Sequence, residues 1–328
     1  MDDMTDMLYR PLGRSGLMVS AVGIGCNNFG RADTLTETQE GTTSVVDAAL
    51  ESGVNFFDTA DVYGKRPGLS EELLGRALVG RRDDVVVATK FGHATLDGGI
   101  DQPWARGSRR YVRRAVEASL RRLDTEWIDL YQLHTPDPTT PIDETLSVLD
   151  DLITEGKVRY IGHSNLSGWQ IAEADYEAVL GAHPRFISAQ NEFSLIVRDA
   201  ERDVLPAVQR FGLGFLPFFP LYNGLFTGKF SRAGGPADSR IMRIRKHLLD
   251  DAPWDAIEAL QAFAEARGRT LLEVTFGWLL AQTNLSSVIA GATTAAQIRE
   301  NAAAGVAWTP TSADVAEIDR LFPGPAAS

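Results

Sequence analysis

Short, almost continuously apolar segments alternate with longer amphipathic segments along nearly the whole chain. In the amphipathic segment 108–123, Val112, Val116 and Leu120 recur every fourth position, which predicts a helix with one buried face, and Ser108 is a suitable N-cap. The short segments are typical of strands buried on both faces of a parallel sheet. They predict eight strands, at residues 21–25, 55–60, 85–90, 127–134, 158–165, 186–193, 214–220 and 287–291. The amphipathic segments predict helices near 42–52, 70–79, 108–123, 143–155, 168–180, 202–211, 255–267 and 294–304.

Eight strand–helix units in succession indicate an α/β protein of the (β/α)8 barrel, or TIM barrel, type. We expect residues 1–328 to form one domain of this kind. Two segments fall outside the repeat. Residues 10–20 predict an N-terminal hairpin that closes the barrel floor, and residues 230–254 form a long insertion after the seventh strand, a natural candidate for a mobile loop.

The composition narrows the range of partners. A formal net charge of −12 argues against nucleic acid or an anionic membrane surface, whereas a small anionic cofactor needs only a local positive site. Cys26 is the only cysteine, which fits a reducing compartment, and residues 1–7 do not resemble a secretory signal. No apolar run approaches the ~20 residues that span a bilayer. These features favour a cytoplasmic protein, and the histidines lack the spacing of metal ligands, so no metal site is predicted.

Polar residues at the ends of several predicted strands are the strongest sign of function. Asp58, Lys90, His134 and Asn165 end the second to fifth strands, and Gln190 lies in the sixth. In a (β/α)8 barrel the carboxyl ends of all strands meet at one rim, where active sites lie. Taken singly, each residue has a structural explanation, such as a salt bridge between Asp58 and Lys90. Taken together, they predict an active site at one mouth.

The segments around these residues resemble the aldo-keto reductase family over nearly the whole chain. The resemblance rests on residues 55–64 (NFFDTADVYG), 70–75 (SEELLG), 88–90 (ATK), 129–134 (DLYQLH) and 156–162 (GKVRYIG). It implies a catalytic tetrad of Asp58, Tyr63, Lys90 and His134. It also implies reduction of aldehydes or ketones, small-molecule carbonyl substrates, to alcohols.

The chemistry of such a tetrad can be read from its residue types. Hydride transfer to a carbonyl leaves an alkoxide that needs a proton, which the hydroxyl of Tyr63 supplies. A tyrosine has an ordinary pKa of about 10, and a neighbouring Lys90 ammonium favours its phenolate. Asp58 keeps Lys90 charged and oriented, and His134 binds or orients the carbonyl oxygen.

The resemblance implies NADPH or NADP+ as cofactor, with NADH left open. The residues implied for its nicotinamide are Ser164, Asn165, Gln190 and Phe218, and those for its pyrophosphate are Pro220, Leu221, Gly224 and Lys229. The adenosine end falls on Gly291, Thr293, Gln297, Glu300 and Asn301. Two departures stand out: Phe219 replaces a serine common in relatives, and no basic residue adjoins Gly291, so Arg240 is expected to bind the 2′-phosphate. Asn27, Asn28, His93 and Trp104 are expected to line the substrate pocket together with the 230–254 insertion.

Two other functions stay open at this point. Some members of the family resemble the β subunits of potassium channels, which predicts an NADPH-binding regulatory subunit with little or no turnover. A barrel lyase or aldolase with Lys90 as a Schiff-base nucleophile is the other. The sequence leaves the substrate and the oligomeric state open.

Overall fold

A computed structural model describes residues 7–96, 98–99, 105–237 and 239–325. The strands within these ranges are β1 (Tyr9–Pro11), β2 (Met18–Ser20), β3 (Val22–Gly25), β4 (Phe56–Asp58), β5 (Val86–Phe91), β6 (Ile128–Leu133), β7 (Val158–Ser164), β8 (Ser188–Gln190), β9 (Gly214–Phe215) and β10 (Val288–Gly291). The α-helices are α1 (Gln39–Glu51), α2 (Leu69–Ala77), α3 (Arg109–Leu123), α4 (Ile142–Thr154), α5 (Gly168–Leu180), α6 (Val204–Phe211), α7 (Arg240–Ile244), α8 (His247–Asp250), α9 (Trp254–Glu265), α10 (Leu271–Leu280), α11 (Ala295–Ala307) and α12 (Ser312–Leu321).

Strands β3 to β10 form one parallel sheet in the order β10-β3-β4-β5-β6-β7-β8-β9. Its two edges meet where Phe215 of β9 pairs with Leu285, just before β10. The amide of Phe215 donates to the carbonyl of Asn284 at 2.8 Å, and the amide of Ser286 donates to the carbonyl of Phe215 at 3.0 Å. The predicted (β/α)8 fold is therefore confirmed. Its extent as one domain over residues 1–328 stays a prediction.

The barrel interior is an apolar layer to which alternate residues of the strands contribute. Phe56, Val86, Ala88 and Leu130 pack there, whereas their neighbours along the strands join the outer core beneath the helices. This alternation is the ordinary period of two of a β-strand. The full set of buried residues in the inner layer is Leu12, Val19, Phe56, Val86, Ala88, Leu130, Leu216 and Ile289.

The predicted N-terminal hairpin is confirmed as β1 and β2, which pair antiparallel. Leu12 and Val19 from this hairpin lie in the inner apolar layer. Gly13 at the turn has φ 60°, and a Cβ atom there would lie 2.5 Å from the carbonyl oxygen of Ile187. Since Ile187 precedes β8, the hairpin lies against the amino ends of the strands and closes the barrel floor, opposite the predicted site.

The insertion at 230–254 contains two short helices, α7 and α8, which the sequence pattern did not predict. Ser239 caps α7 by accepting a hydrogen bond from the amide of Met242, and Ile241 and Leu249 are buried. Arg243 of α7 forms an ion pair of 2.6 Å with Asp33 in the loop after β3. Buried side chains and an ion pair therefore hold the insertion against the protein. Its mobility stays a prediction.

Two longer helices, α10 and α12, were also missing from the prediction. Eight of the ten residues of α10 are buried, so its sequence has no polar face to give it a helical period. Helix α12 begins at a capping box in which Thr311 and Asp314 bond reciprocally. Across the described parts of the chain, no helix combines the length and apolar character needed to cross a bilayer.

Candidate active site

The predicted polar residues point into the barrel, on the same face of the strands as the inner apolar layer and above it. Asp58 lies two residues beyond Phe56, and Lys90 lies two residues beyond Ala88. Lys90 is also the direct cross-strand partner of Gln132 on β6. Because side chains two apart on a strand share a face, these polar groups continue the column begun by the apolar layer. They lie at the carboxyl ends of the strands, as predicted.

Asp58 and Lys90 form a buried ion pair with an Oδ2–Nζ distance of 2.5 Å. The ammonium also donates to the carbonyl of Thr59 at 3.0 Å. The other carboxylate oxygen of Asp58 accepts from the side-chain amides of Gln132 at 3.1 Å and Gln190 at 3.0 Å. Burial lowers the pKa of Lys90, but Asp58 and the nearby Tyr63 outweigh it and hold that pKa above its usual value. Lys90 is therefore a charged ammonium.

Tyr63 lies in the loop after β4, and the Lys90 nitrogen is 5.2 Å from the centroid of its ring. Its ring meets that of His134 edge to face, with centroids 6.0 Å apart. Burial raises the pKa of Tyr63, and the opposing effect of Lys90 is smaller, so the pKa is above its usual value. Lys90 does favour the phenolate of Tyr63, as expected from the sequence, but burial has the larger effect on this pKa. Tyr63 holds its proton at neutral pH.

His134 is an uncharged imidazole. Burial, the charge of Lys90 and the neighbouring His93 together hold its pKa well below the usual value. The ring of His93 packs edge to face on it, with centroids 4.7 Å apart. The Nδ1 atom of His93 accepts hydrogen bonds from the amides of Thr95 and Leu96 at 3.2 and 3.1 Å, which fixes that ring at the edge of the site.

A cleft of about 1410 Å³ opens beside this group. It exceeds the ~300–1,000 Å³ of a pocket for one small ligand, so it suits a dinucleotide together with a second molecule. The cleft is lined by these predicted site residues: Asp58, Tyr63, His134, Ser164, Asn165, Gln190, Phe218, Pro220, Leu221, Gly224, Lys229, Arg240, Gly291, Thr293, Gln297, Glu300, Asn301, Asn27, Asn28 and His93. Lys90 is fully buried beside the cleft, and Trp104 lies outside the described residues.

The polar groups next to the tetrad suit a carboxamide. Asn165 has φ 63°, and its side-chain amide donates to Ser164 Oγ at 3.0 Å and to the carbonyl of His134 at 2.9 Å. Ser164 Oγ donates to the carbonyl of Gln190 at 2.8 Å. Because Gln190 directs its own NH2 group to Asp58, its amide oxygen is left as an acceptor for a ligand. A nicotinamide carboxamide, which both donates and accepts, fits this set.

The far end of the cleft has the features of a phosphate site. Between 219 and 228 the backbone turns repeatedly into the left-handed region, at Phe219, Tyr222, Asn223, Gly224 and Gly228. Alternation of this kind presents successive amide N–H groups to an anion. Lys229 and Arg240 also line the cleft. The Nε atom of Arg240 is buried and has no hydrogen-bond partner among the described residues. Burial and then its arginine neighbours lower the pKa of Arg240 to about 10.

Three residues of the site were missed by the sequence analysis. Gln132 holds Asp58, and its in-register position opposite Lys90 was the available signal. Arg31 lines the cleft, and Arg245 lies close enough to influence both Arg31 and Arg240. No signal marks the two arginines in the sequence, because neither lies at a strand end or in a quoted motif.

The structure is a (β/α)8 barrel that holds an ammonium–carboxylate pair, a protonated phenol and a neutral imidazole beside a large cleft. These features fit an oxidoreductase. The chain belongs to the Aldo/keto reductase family, whose model matches residues 21–322. Family membership makes it an oxidoreductase, in agreement with the resemblance noted in its sequence.

Three curated relatives illustrate the range of the similarity. The chain is 36% identical to the uncharacterized oxidoreductase YrpG of Bacillus subtilis (strain 168), over 97% of both chains. It is 34% identical to a probable voltage-gated potassium channel subunit beta of Arabidopsis thaliana, over 90% of both. It is 31% identical to the L-glyceraldehyde 3-phosphate reductase of Escherichia coli (strain K12), over 96% of this chain and 92% of that one.

Proposed function

We propose that this protein is a cytoplasmic enzyme that reduces aldehydes or ketones to alcohols with NADPH, and that Tyr63 is its general acid. The observation that carries the proposal is the state of Tyr63: it is half-buried, protonated, next to the charged Lys90, and borders the cleft. A proton donor beside a cation is what a carbonyl oxygen needs as negative charge develops on it.

Several residues suit the cofactor, which supplies a hydride to the carbonyl carbon when bound. Ser164, Asn165 and Gln190 would hold its carboxamide, and Phe218, which lines the same cleft, would contact the nicotinamide. Pro220, Leu221, Gly224 and Lys229 would bind the pyrophosphate. Gly291, Thr293, Gln297, Glu300 and Asn301 would hold the adenosine end, and Arg240 would bind the 2′-phosphate.

The tetrad moves one proton. Tyr63 donates its hydroxyl proton to the carbonyl oxygen, and the Lys90 ammonium stabilises the phenolate that remains. Asp58 keeps Lys90 charged and in place through the 2.5 Å ion pair. His134, being uncharged, donates a ring N–H to the carbonyl oxygen without competing with Lys90 as a second cation. His93, Asn27 and Asn28 line the substrate side of the pocket.

The experiment is the variant Tyr63→Phe, assayed by NADPH consumption with a panel of aldehydes and ketones. We expect kcat to fall by about 10²- to 10⁴-fold, the usual contribution of a positioned acid. NADPH affinity, followed by fluorescence, stays unchanged because the ring remains. Tyr176→Phe is the matched control, since Tyr176 is exposed on α5 and does not line the cleft. Full turnover in Tyr63→Phe rules out the proposed acid.

The similarity to a protein named as a probable potassium channel subunit beta supports a second candidate, a regulatory NADPH-binding subunit. Tight NADPH binding by the unaltered protein, with no turnover across the same panel, decides for that function. The Schiff-base alternative is disfavoured, because a nucleophilic lysine must be neutral and Lys90 is held charged by Asp58.

A further inference from the structure

Three arginines converge at the mouth of the cleft from two different parts of the chain. Arg31 lies in the loop after β3, whereas Arg240 and Arg245 belong to the insertion at 230–254. We call these three residues the arginine cluster. Arg243 joins the two segments through its 2.6 Å ion pair with Asp33. The cluster is therefore assembled by a specific contact.

No carboxylate of the described chain forms a salt bridge with any member of the cluster. Asp33, the acid next to Arg31 in sequence, is occupied by Arg243. Arg31 donates instead to the backbone carbonyl of Asn27 at 3.1 Å, and the guanidinium of Arg245 lies 5.7 Å from the ring centroid of Phe219. Glu192 interacts with the charge of Arg245 without forming a salt bridge. Like charges at close range cost free energy unless an anion lies between them, so the arrangement around Arg31 and Arg240 indicates an anionic ligand.

Within this cluster, Arg240 and Arg31 have different neighbours. Arg240 is already assigned in the proposed function to the cofactor's 2′-phosphate. Arg31 lies nearer the reacting end, because its charge interacts with Tyr63 as well as with Arg245. Arg31 and Tyr63 both line the cleft, as do His93 and His134. Arg31 is thus placed to hold a group of the substrate while Tyr63 meets its carbonyl.

We propose that the substrate is an aldehyde that carries a phosphate group, and that Arg31, assisted by Arg245, binds the phosphate. Two arginines suit a phosphate better than a carboxylate, because a phosphate has about two negative charges and three acceptor oxygens for their N–H groups. Arg31 is then a specificity-determining residue. This inference rests on the proposed reductase function and names its substrate class.

The test compares glyceraldehyde 3-phosphate with glyceraldehyde and glyoxylate in three variants. Arg31→Gln removes the charge but keeps an amide that can bond to Asn27; Arg31→Lys keeps the charge. Arg232→Gln is the matched control, because Arg232 lies in the insertion that carries Arg240 and Arg245 but pairs with Asp255 and Glu258 outside the cleft lining.

We expect the unaltered protein to prefer the phosphorylated aldehyde. Arg31→Gln should lower kcat/KM for it by about 10- to 100-fold, mainly through KM, as expected for loss of a hydrogen bond to a charged group. The value for glyceraldehyde should fall much less, because glyceraldehyde has no phosphate to lose, and Arg31→Lys should recover part of the loss. Preference for glyoxylate, equal losses for all three substrates, or a matching loss of NADPH affinity would each overturn the assignment.

A binding measurement separates this inference from the proposed function. Glycerol 3-phosphate, which has the phosphate but no carbonyl, is titrated into the NADPH-saturated protein by calorimetry. Binding that is lost in Arg31→Gln supports the phosphate site even if the protein turns over no aldehyde. Turnover of neutral aldehydes without binding of glycerol 3-phosphate leaves the reductase in place and rejects the phosphate site.

Discussion

The two ends of the cleft treat charge in opposite ways. At the tetrad, Asp58 and Lys90 satisfy each other, and two glutamine amides complete the carboxylate. At the mouth, no carboxylate of the described residues forms a salt bridge with the arginine cluster, and Glu192 interacts only with the charge of Arg245. A charge matched inside the protein is a fixed part of the chemistry, whereas an unmatched one is available to a ligand. The difference predicts which substitutions cost stability and which cost binding.

Removing Lys90 tests the matched end and should have the largest effect. Lys90→Met leaves a buried carboxylate without its cation, which should lower the free energy of unfolding by about 3–5 kcal/mol in urea titrations. Lys229→Met is the control, since Lys229 has no salt bridge in the described chain and should lose NADPH affinity with little loss of stability. The double variant Lys90→Met/Asp58→Leu should regain part of the stability. Equal stability losses at both lysines would remove the distinction.

Asp61 tests a third way of handling charge. It is buried three residues beyond Asp58, and its carboxyl has no hydrogen-bond partner in the described ranges. Burial, followed by repulsion from Glu71, raises its pKa to about 8 from 3.8. Below about pH 4 this carboxyl is protonated in both the folded and the unfolded chain, so its raised pKa does not lower the free energy of unfolding. As the pH rises toward 8 only the unfolded chain ionises, so stability falls.

Asp61→Asn should therefore raise the free energy of unfolding at pH 7 by about 2–4 kcal/mol, because about 1.4 kcal/mol is at stake for each pKa unit. The gain should vanish near pH 4. Unfolding titrations of both proteins at pH 4, 5.5 and 7 measure this. A variant less stable than the parent at every pH would mean that Asp61 has a partner that stabilises its charge.

Removing Arg240 tests the unmatched end. Arg240→Gln should weaken NADPH binding by about 10- to 100-fold, as for loss of a hydrogen bond to a charged group, and leave NADH binding unchanged. Thermal stability should not fall, since one member of a set of like charges is removed. Fluorescence titrations with both cofactors provide the measurement. Equal weakening for the two cofactors would place Arg240 away from the 2′-phosphate.

The smallest effect is expected at the contact that joins the two rim segments. Arg243 and Asp33 are both well exposed, so Arg243→Gln should change stability by only about 0.2–1 kcal/mol. It should nevertheless speed proteolysis within the insertion. Arg299→Gln, which breaks another exposed pair, with Glu51, is the control and should leave that proteolysis unchanged. Identical digestion patterns would mean that buried Ile241 and Leu249 hold the insertion without the ion pair.

The sequence predicted the matched end far better than the unmatched one. Asp58, Lys90 and His134 end strands, and parallel strands bring their ends together whatever the details of packing. Arg31 and Arg245 lie outside the repeat, and their meeting depends on a contact between distant segments. Helix α10 was missed for a related reason: it is buried on nearly all sides, so burial erased the polar face by which amphipathic helices are recognised.

The hairpin that closes the barrel floor limits how the tetrad can exchange protons with water. A proton moving down the barrel axis from Lys90 would have to cross the apolar layer to which Leu12 and Val19 contribute. Reprotonation of Tyr63 after each turnover must then proceed through the mouth, the side from which substrate arrives. Product departure and recovery of the acid thus share one route, and whatever narrows that opening slows both.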